Sequence, residues 1–246
     1  MLNRVQIKME AKAVVRSARS SAYIMTLIYL VLINLLSAVD LYVGNDIEFY
    51  MERVMPGLEI PSFLIAPDFS PIVVMFVSVM VWLLTTVLGG GIAIYHLGVR
   101  RGYEMGYGTL FDGFSMVGKL ILATLCVSAL VTVGTALLVI PGIILGYMYR
   151  FTIYNICENP ELGVINAMRM SRLQTSGHKA DLFVLDLSFY GWILLSSLTM
   201  GILFIWVNPY MEQANIGYFE ELKRSSGVGH IHRDSNGNPG PDIPIF

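Results

Sequence analysis

Charged residues are scarce in this sequence. They make up 14% of its 246 residues, whereas soluble domains usually carry about 25%. There are only two cysteines, Cys126 and Cys157, and both fall within or at the end of apolar runs. The sequence therefore indicates neither a disulfide framework nor a cysteine metal site. These deficits argue against a disulfide-stabilised fold and against an ordinary soluble domain.

Catalytic motifs are missing as well. The sequence contains no HExxH helix, no GxSxG nucleophile turn, no P-loop and no GxGxxG dinucleotide fingerprint. His96 and His178 form too small a ligand set to indicate a metal site. A net charge of -2 provides no strongly basic surface for nucleic acid. The sequence therefore predicts a protein that is not an enzyme and that has no cofactor, no metal and no nucleic-acid partner.

Long apolar runs are what the sequence does contain. Hydrophobic residues make up 55% of the chain and the mean hydropathy is +0.63. A membrane-spanning helix needs about 20 mostly apolar residues. Six such spans are predicted, at residues 22–43, 71–96, 116–138, 141–157, 180–198 and 201–222. The sequence therefore predicts an all-α polytopic membrane protein with a membrane domain over residues 21–224.

Two of the apolar runs are too long for one span. Pro141 and Gly142 divide the first of them, because proline and glycine end helices, and we expect them at the outer turn of a helical hairpin. Thr199, Met200 and Gly201 divide the second. Three consecutive glycines at residues 89–91 are expected to loosen or kink the second span.

Five segments lie outside the predicted spans. Residues 1–20 form a basic amphipathic interfacial helix, and residues 44–70 form an outer loop with a short helix at 47–55. Residues 97–115 form a glycine-rich loop. An amphipathic helix over residues 160–174, with Asn159 as its cap, lies along the cytoplasmic surface. Residues 225–246 form a disordered cytoplasmic tail.

The basic residues predict the orientation, because short cytoplasmic loops are enriched in Lys and Arg. With the N-terminus inside, all but two of the 16 Lys and Arg residues fall on the cytoplasmic side. Arg53 falls outside and Arg150 falls within the fourth span. The sequence thus predicts a multi-pass protein of the cell membrane, the bacterial inner or plasma membrane, with both termini in the cytoplasm.

Four basic residues before the first span recur at every fourth position: Arg4, Lys8, Lys12 and Arg16. This spacing places them on one face of a helix. Two interpretations stay open. They bind anionic lipid headgroups, or they only fix the topology of the first span.

Arg150 is the most unusual residue of the predicted spans, because an arginine near the bilayer centre costs at least ~2.5 kcal/mol and is normally paired. Asp186 and Glu212 fall at similar predicted depths, so an ion pair with one of them is expected. These three residues form a candidate intramembrane polar site. Either the site is functional, lining a polar path or holding a headgroup phosphate, or the pair is structural.

Gly142 and Gly146 form a small-xxx-small pattern that lets two helices approach closely. The pattern indicates helix packing, either with a neighbouring helix of the same chain or with a second copy. Residues 134–149 and 191–210 also share an order of glycine, apolar stretch, turn and tyrosine. They are a candidate pair of parallel internal repeats.

Several markers occur in a recognisable order: Ile140-Pro141-Gly142, Asn159-Pro160, Gly177-His178-Lys179, Gly191-Trp192 and Trp206. In this order the sequence resembles the bacterial integral membrane family catalogued as domain of unknown function 975. The resemblance implies a polytopic fold and no established activity. That family is distantly similar to the membrane domain attached to some glycerophosphodiester phosphodiesterases, whose catalytic domain is absent here. No catalytic or binding residue can therefore be transferred.

Two hypotheses on function follow. The first requires no motif: a non-catalytic scaffold, accessory subunit or envelope-maintenance factor, with membrane lipids and either another membrane protein or a second copy as partners. The alternative is a small transporter or lipid-handling permease with a polar site near Arg150. An enzyme acting on lipids has no motif in its favour.

Overall fold

The computed structural model describes residues 4–18, 21–44, 53, 67–199 and 201–228. Over these residues the chain is helical and contains no β-strand, which confirms the predicted all-α fold class. The elements are α1 Arg4–Ser17, α2 Ala22–Val43, α3 Pro71–Arg100, a 3-10 helix Tyr107–Met116, α4 Val117–Leu137, α5 Val139–Met148, α6 Thr152–Glu158, α7 Val164–Gln174, α8 Lys179–Leu198 and α9 Phe204–Ser226. The predicted helix at 47–55 and most of the predicted outer loop and tail lie outside the described residues.

Four stretches of the described chain are long and apolar enough to cross a membrane: Ala22–Val43, Pro71–Arg100, Tyr107–Leu137 and Lys179–Leu198. They correspond to the first, second, third and fifth predicted spans. Many side chains that face outward from them are large and apolar, including those of Ile72, Leu125 and Leu198. α5 and α6 are each too short to be in this group, and α9 does not belong to it although it is 23 residues long.

Helix α9 lies at the centre of the helix assembly. It contacts α1, α2, α3, α7 and α8, and its buried residues occur on several sides of the helix. Ile216, Tyr218 and Phe219 are completely buried there, together with Phe151 and Leu185 from neighbouring segments. Because other helices pack around α9, its polar residues Glu212, Gln213 and Asn215 form hydrogen bonds with protein groups.

The predicted hairpin at Pro141-Gly142 is present, with its turn three residues earlier. Leu138 has an extended backbone and separates α4 from α5, while Pro141 lies in the first turn of α5. Proline is tolerated there because the first N–H groups of a helix have no intrahelical partner. The reversal brings Gly134 and Gly142 together, and a Cβ on Gly134 would lie 3.2 Å from Gly142 Cα.

The second predicted span and the loop after it differ from the structure. α3 continues to Arg100 and runs unbroken through the three glycines, and residues 107–116 form a 3-10 helix where a loop over 97–115 was predicted. The glycines allow close contact between these two helices. A Cβ on Gly91 would lie only 3.0 Å from Leu110 Cα, and one on Gly113 would lie 3.0 Å from the amide nitrogen of Gly91.

The fourth predicted span, 141–157, is divided in the structure. α5 ends at Met148, residues 149–151 form turns, and α6 begins at Thr152. The predicted amphipathic helix at 160–174 begins later, at Val164, and its N-cap is Gly163 rather than the predicted Asn159. Asn159 Oδ1 accepts the N–H of Glu161 in a turn before the helix.

The boundaries of the last predicted segments also shift. Gly201 adopts a left-handed backbone, with φ of 84°, in the turn between α8 and α9, close to the predicted division of that apolar run. α9 then continues to Ser226, past the predicted start of the disordered tail at residue 225. The carbonyl of Val228 accepts a hydrogen bond from Gln174, so the first residues of that segment contact α7.

Candidate functional site

Arg150 lies in the turn between α5 and α6 and forms an ion pair with Asp186 of α8. Its Nη2 donates to Asp186 Oδ1 at 2.7 Å, and its Nη1 donates to the other carboxylate oxygen. Such a two-pronged contact matches the planar guanidinium to the planar carboxylate. The pair is partly exposed, with 22% of the Arg150 side chain and 33% of the Asp186 side chain accessible. The predicted pairing of Arg150 with Asp186 or Glu212 is therefore present with Asp186.

Two further polar groups complete the surroundings of this pair. Arg150 Nη2 also donates to Asn215 Oδ1 at 3.0 Å, and the Tyr147 hydroxyl donates to Asp186 Oδ2 at 2.8 Å. Tyr147 lies on α5 and Asn215 on α9, so the pair connects three helices and the turn. The guanidinium is thus held by groups of its own chain on two sides.

Glu212, the third predicted member of the site, is not in the ion pair. Its carboxylate accepts a hydrogen bond from the Tyr154 hydroxyl at 2.9 Å. Glu212 is half-buried on α9 and lies within electrostatic reach of Arg150. The structure thus brings all three predicted residues into one region but divides them between two hydrogen-bonded groups.

The turn that carries Arg150 is held by hydroxyl groups of α7. The Ser171 hydroxyl accepts the N–H of Phe151 at 3.1 Å and donates to the carbonyl of Met148 at 2.9 Å. Thr175 donates to the same carbonyl at 3.2 Å. A helix interruption leaves backbone groups without intrahelical partners, and these side chains satisfy two of them.

The buried face of α7 was not predicted. Val164, Ala167, Ser171 and Gln174 are buried, and Gln174 exchanges two side-chain hydrogen bonds with Asn155 of α6, at 3.0 and 3.1 Å. The sequence signal was the spacing of Ser171 and Thr175, which lie one helical turn apart. Hydroxyls at this spacing on the inward face of an amphipathic helix indicate a polar group opposite them.

The four basic residues of α1 divide into two pairs. Arg4 lies 3.7 Å from Asp181 of α8, and Lys8 donates to the Ser188 hydroxyl and sits 4.3 Å above the Phe189 ring centre. Burial lowers the pKa of the Lys8 ammonium from its ordinary value. These two predicted lipid contacts therefore have protein partners.

Lys12 and Arg16 lie further round α1, away from its contact with α8. They are exposed, as are Val5 and Met9, which occupy the same helical stripe one and two turns away. Ile7 and its neighbours on the other face are buried against the rest of the chain. This exposed stripe of two apolar and two basic residues is called the outer face of α1 below.

The predicted helix-packing glycines also differ from each other. A Cβ on Gly142 would clash with Thr135 of α4, whose Cα lies 2.8 Å away, so this glycine serves a contact within the chain. Nothing lies within 4 Å of a Cβ on Gly146. The candidate internal repeats likewise differ in their contacts, because Gly134 packs closely on α5 whereas nothing lies near Gly191.

A cluster of charges joins the middle of α1 to the C-terminal parts of α3, α6 and α9, and in the sequence its basic members served only to predict the topology. Arg100 bridges Glu10 at 3.1 Å and Glu220 at 3.2 Å. Arg101 and Lys223 both pair with Glu158. This cluster holds α1 against the other helices.

Among the described residues, no group of three or more His, Cys, Asp or Glu side chains could hold a metal ion. The arrangement around Arg150 has the chemistry of a charge pair with polar supports. A second anion at the guanidinium would face repulsion from Asp186.

The family described as "Protein of unknown function (DUF975)" matches the chain over residues 72–226, from the start of α3 to the end of α9. No curated protein and no solved structure matches the chain.

Proposed function

Because the chain belongs to this family of proteins of unknown function, with a match over more than half of its length, we propose its role from its own architecture. It is an integral protein of the bacterial inner or plasma membrane. It acts as a non-catalytic scaffold, accessory subunit or envelope-maintenance factor. The observation that carries this proposal concerns Arg150, the one arginine within the predicted spans. Its guanidinium is bonded to side chains of its own chain.

Membrane insertion is supported by the apolar side chains on the outside of the helices. Leu198 is 81% exposed, Leu137 is 75% exposed and Ile72 is 74% exposed. Soluble monomers rarely expose contiguous apolar patches of more than a few hundred Å². Lipid would cover these side chains at a gain of about 25 cal/mol for each Å² removed from water.

We propose six crossings, adding two to the four stretches that qualify by composition. The first added crossing is α5 with α6, which runs antiparallel to α4 and is interrupted at residues 149–151. The second is α9, which turns back along α8 after Gly201, with the rings of Phe189 and Tyr210 5.2 Å apart. α9 runs parallel to α6, because Asn215 contacts Arg150, just before α6, and Lys223 contacts Glu158, at the end of α6.

An isolated α9 would be a poor membrane span because of its polar residues. In the bundle these residues have partners, since Asn215 accepts from Arg150, Glu212 accepts from Tyr154, and Gln213 donates to the carbonyl of His96 at 2.9 Å. Polar groups in a membrane are tolerated when other helices satisfy them. The orientation follows the basic residues, with both termini in the cytoplasm.

The scaffold role is supported by how Arg150 is used. A substrate-binding arginine needs donors that point to open space, whereas this guanidinium is bonded to Asp186 and Asn215. The ion pair joins α8 to the interrupted crossing and α9. These contacts explain the ion pair as a structural connection between helices.

The outer face of α1 is proposed to contact anionic lipid headgroups. Lys12 and Arg16 would lie near the phosphates, and Val5 and Met9 would enter the interface, as in other interfacial amphipathic helices. Arg4 and Lys8 are not included in this contact, because they bind residues of α8.

The transporter hypothesis keeps one observation in its favour, which is the interrupted crossing. Transporters often place binding sites at broken helices near the bilayer centre. α5 has 10 residues and is about 15 Å long, which is half of a hydrocarbon core of about 30 Å. Arg150 would then lie near mid-depth.

One experiment separates the two functions. The full chain is crosslinked in its native membrane, and the purified chain is reconstituted into liposomes for solute and lipid flux assays. The scaffold role predicts a stoichiometric crosslinked partner and flux equal to that of empty liposomes. Flux by the chain alone that is lost in Arg150→Gln and kept in the exposed control Arg172→Gln would establish transport instead.

A further inference from the structure

The two acids near Arg150, Asp186 and Glu212, have different environments. Glu212 Oε2 accepts the Tyr154 hydroxyl at 2.9 Å, and no Lys or Arg of the described residues forms an ion pair with Glu212 within 4 Å. Arg150 interacts electrostatically with Glu212, but its guanidinium is already bonded to Asp186 and Asn215. Glu212 thus lies beside a guanidinium that another carboxylate has taken.

The charges of this region do not balance when all groups are ionised. Arg150 supplies one positive charge, and Asp186 and Glu212 supply two negative charges. Moving an ionised carboxylate out of water without a cation beside it costs a large amount of free energy. Such a carboxylate usually takes up a proton instead. Two carboxylates that compete for one cation commonly resolve in this way, with one ionised and one neutral.

The other groups around Glu212 cannot supply the missing positive charge. α2 contributes Tyr29, which interacts electrostatically with Glu212, and α6 contributes Tyr154. His96 of α3 is completely buried and is hydrogen-bonded to Gln213, the residue that follows Glu212 in α9. Tyrosine hydroxyls are neutral near pH 7, and a buried histidine is disfavoured as a cation.

We propose that Glu212 is a proton-binding site that holds a proton at neutral pH, while Asp186 stays ionised against Arg150. The proton resides on Oε1, since Oε2 accepts from Tyr154. Its release leaves the carboxylate on Glu212 and transfers the proton to water. The ligand of the site is therefore a proton, and the ionised Asp186 disfavours an anion such as a phosphate.

This inference rests on the proposed membrane topology, because lipid around the bundle is what keeps water from the carboxylate. It also predicts that Asp186 determines whether Glu212 keeps its proton. In Asp186→Asn the guanidinium loses its carboxylate partner and becomes available to Glu212. Glu212 should then release its proton, although it has not itself been changed.

Infrared spectroscopy of the full chain in lipid nanodiscs tests the proposal. Carboxyl groups of glutamate are labelled with ¹³C, and the carbonyl stretch of a protonated carboxylic acid is measured at neutral pH. We expect one labelled band that is absent in Glu212→Gln, weaker in Asp186→Asn and unchanged in the exposed control Glu161→Gln. In Glu212→Asp, a carboxylic-acid band should appear at the unlabelled position.

Three results would overturn the proposal. They are the absence of the band in the unmodified chain, its persistence in Glu212→Gln, and full band intensity in Asp186→Asn. A separate measurement would show whether the proposed membrane topology is wrong. In that case a membrane-impermeant thiol reagent would modify Glu212→Cys rapidly from the aqueous phase.

Discussion

The hydroxyl of Ser171 lies 2.9 Å from the carbonyl oxygen of Met148 and donates a hydrogen bond to it. The same hydroxyl accepts the N–H of Phe151. One small side chain on α7 therefore bridges the two ends of the interruption between α5 and α6. Arg150 lies between those ends, so α7 positions the guanidinium without contacting it.

Ser171→Ala should destabilise the interrupted crossing. It leaves two buried backbone groups with weaker or no partners, at a cost of about 1–3 kcal/mol. Thermal unfolding in detergent or nanodiscs measures this cost. The control is Ser176→Ala, which removes an exposed hydroxyl of the following turn and should change the unfolding temperature little. Equal stability of the two variants would show that the Ser171 hydroxyl does not support the turn.

The Arg150 and Asp186 pair should show strong coupling in a double-mutant cycle. Either Arg150→Ala or Asp186→Ala leaves one charge without its partner, and we expect a loss of about 2–3 kcal/mol from each. The double variant should be more stable than the sum of the two losses implies. The exposed Arg172→Ala serves as control. Additive losses would mean that the pair contributes no coupling to stability.

Two glycines of α5 should respond oppositely to alanine. Gly142→Ala places a methyl group against Thr135 and should cost about 1–3 kcal/mol through overpacking. Gly146→Ala places it in open space, where greater helix propensity should be neutral or favourable by about 0.5–1 kcal/mol. Unfolding measurements on both variants suffice. A dimer that is lost only in Gly146→Ala would instead assign Gly146 to a contact between two copies.

The outer face of α1 should bind anionic lipid through Lys12 and Arg16. Each base near the surface contributes about 1 kcal/mol, which corresponds to about a fivefold change in affinity. Native mass spectrometry of the full chain after mild extraction should show fewer retained anionic lipids for Lys12→Ala with Arg16→Ala. Lys8→Ala should lower stability through lost contacts with α8 while lipid retention changes less. Unchanged retention in the double variant would leave topology as the only role of those two bases.

The apolar runs predicted the main helices because burial in lipid imposes a minimum length. The bounds of α2 at residues 22–43 agree fully with the prediction, and Pro71 begins α3 as expected. The carboxylate partner of Arg150 was also within reach of sequence reasoning, since charges within a span need a partner at similar depth. Depth alone could not distinguish Asp186 from Glu212.

The missed features depend on contacts between distant parts of the chain. The interruption at residues 149–151 has no proline or glycine of its own and is stabilised by hydroxyls of α7. The continuation of α3 through its glycines depends on the 3-10 helix that packs on them. The division of the basic face of α1 depends on residues of α8. Local periodicity carries no information on such partners.

The most direct test of the account is the side of the membrane on which Ser176 lies. In chains without native cysteines, Asp68→Cys, Ser176→Cys and Ile202→Cys are exposed to an impermeant thiol reagent in intact cells. Six crossings predict labelling from outside at Asp68 and Ile202 and protection at Ser176. If only the four apolar stretches cross, Ser176 would be labelled from outside and Ile202 would be protected. That result would contradict the interrupted crossing that places Arg150 within the membrane.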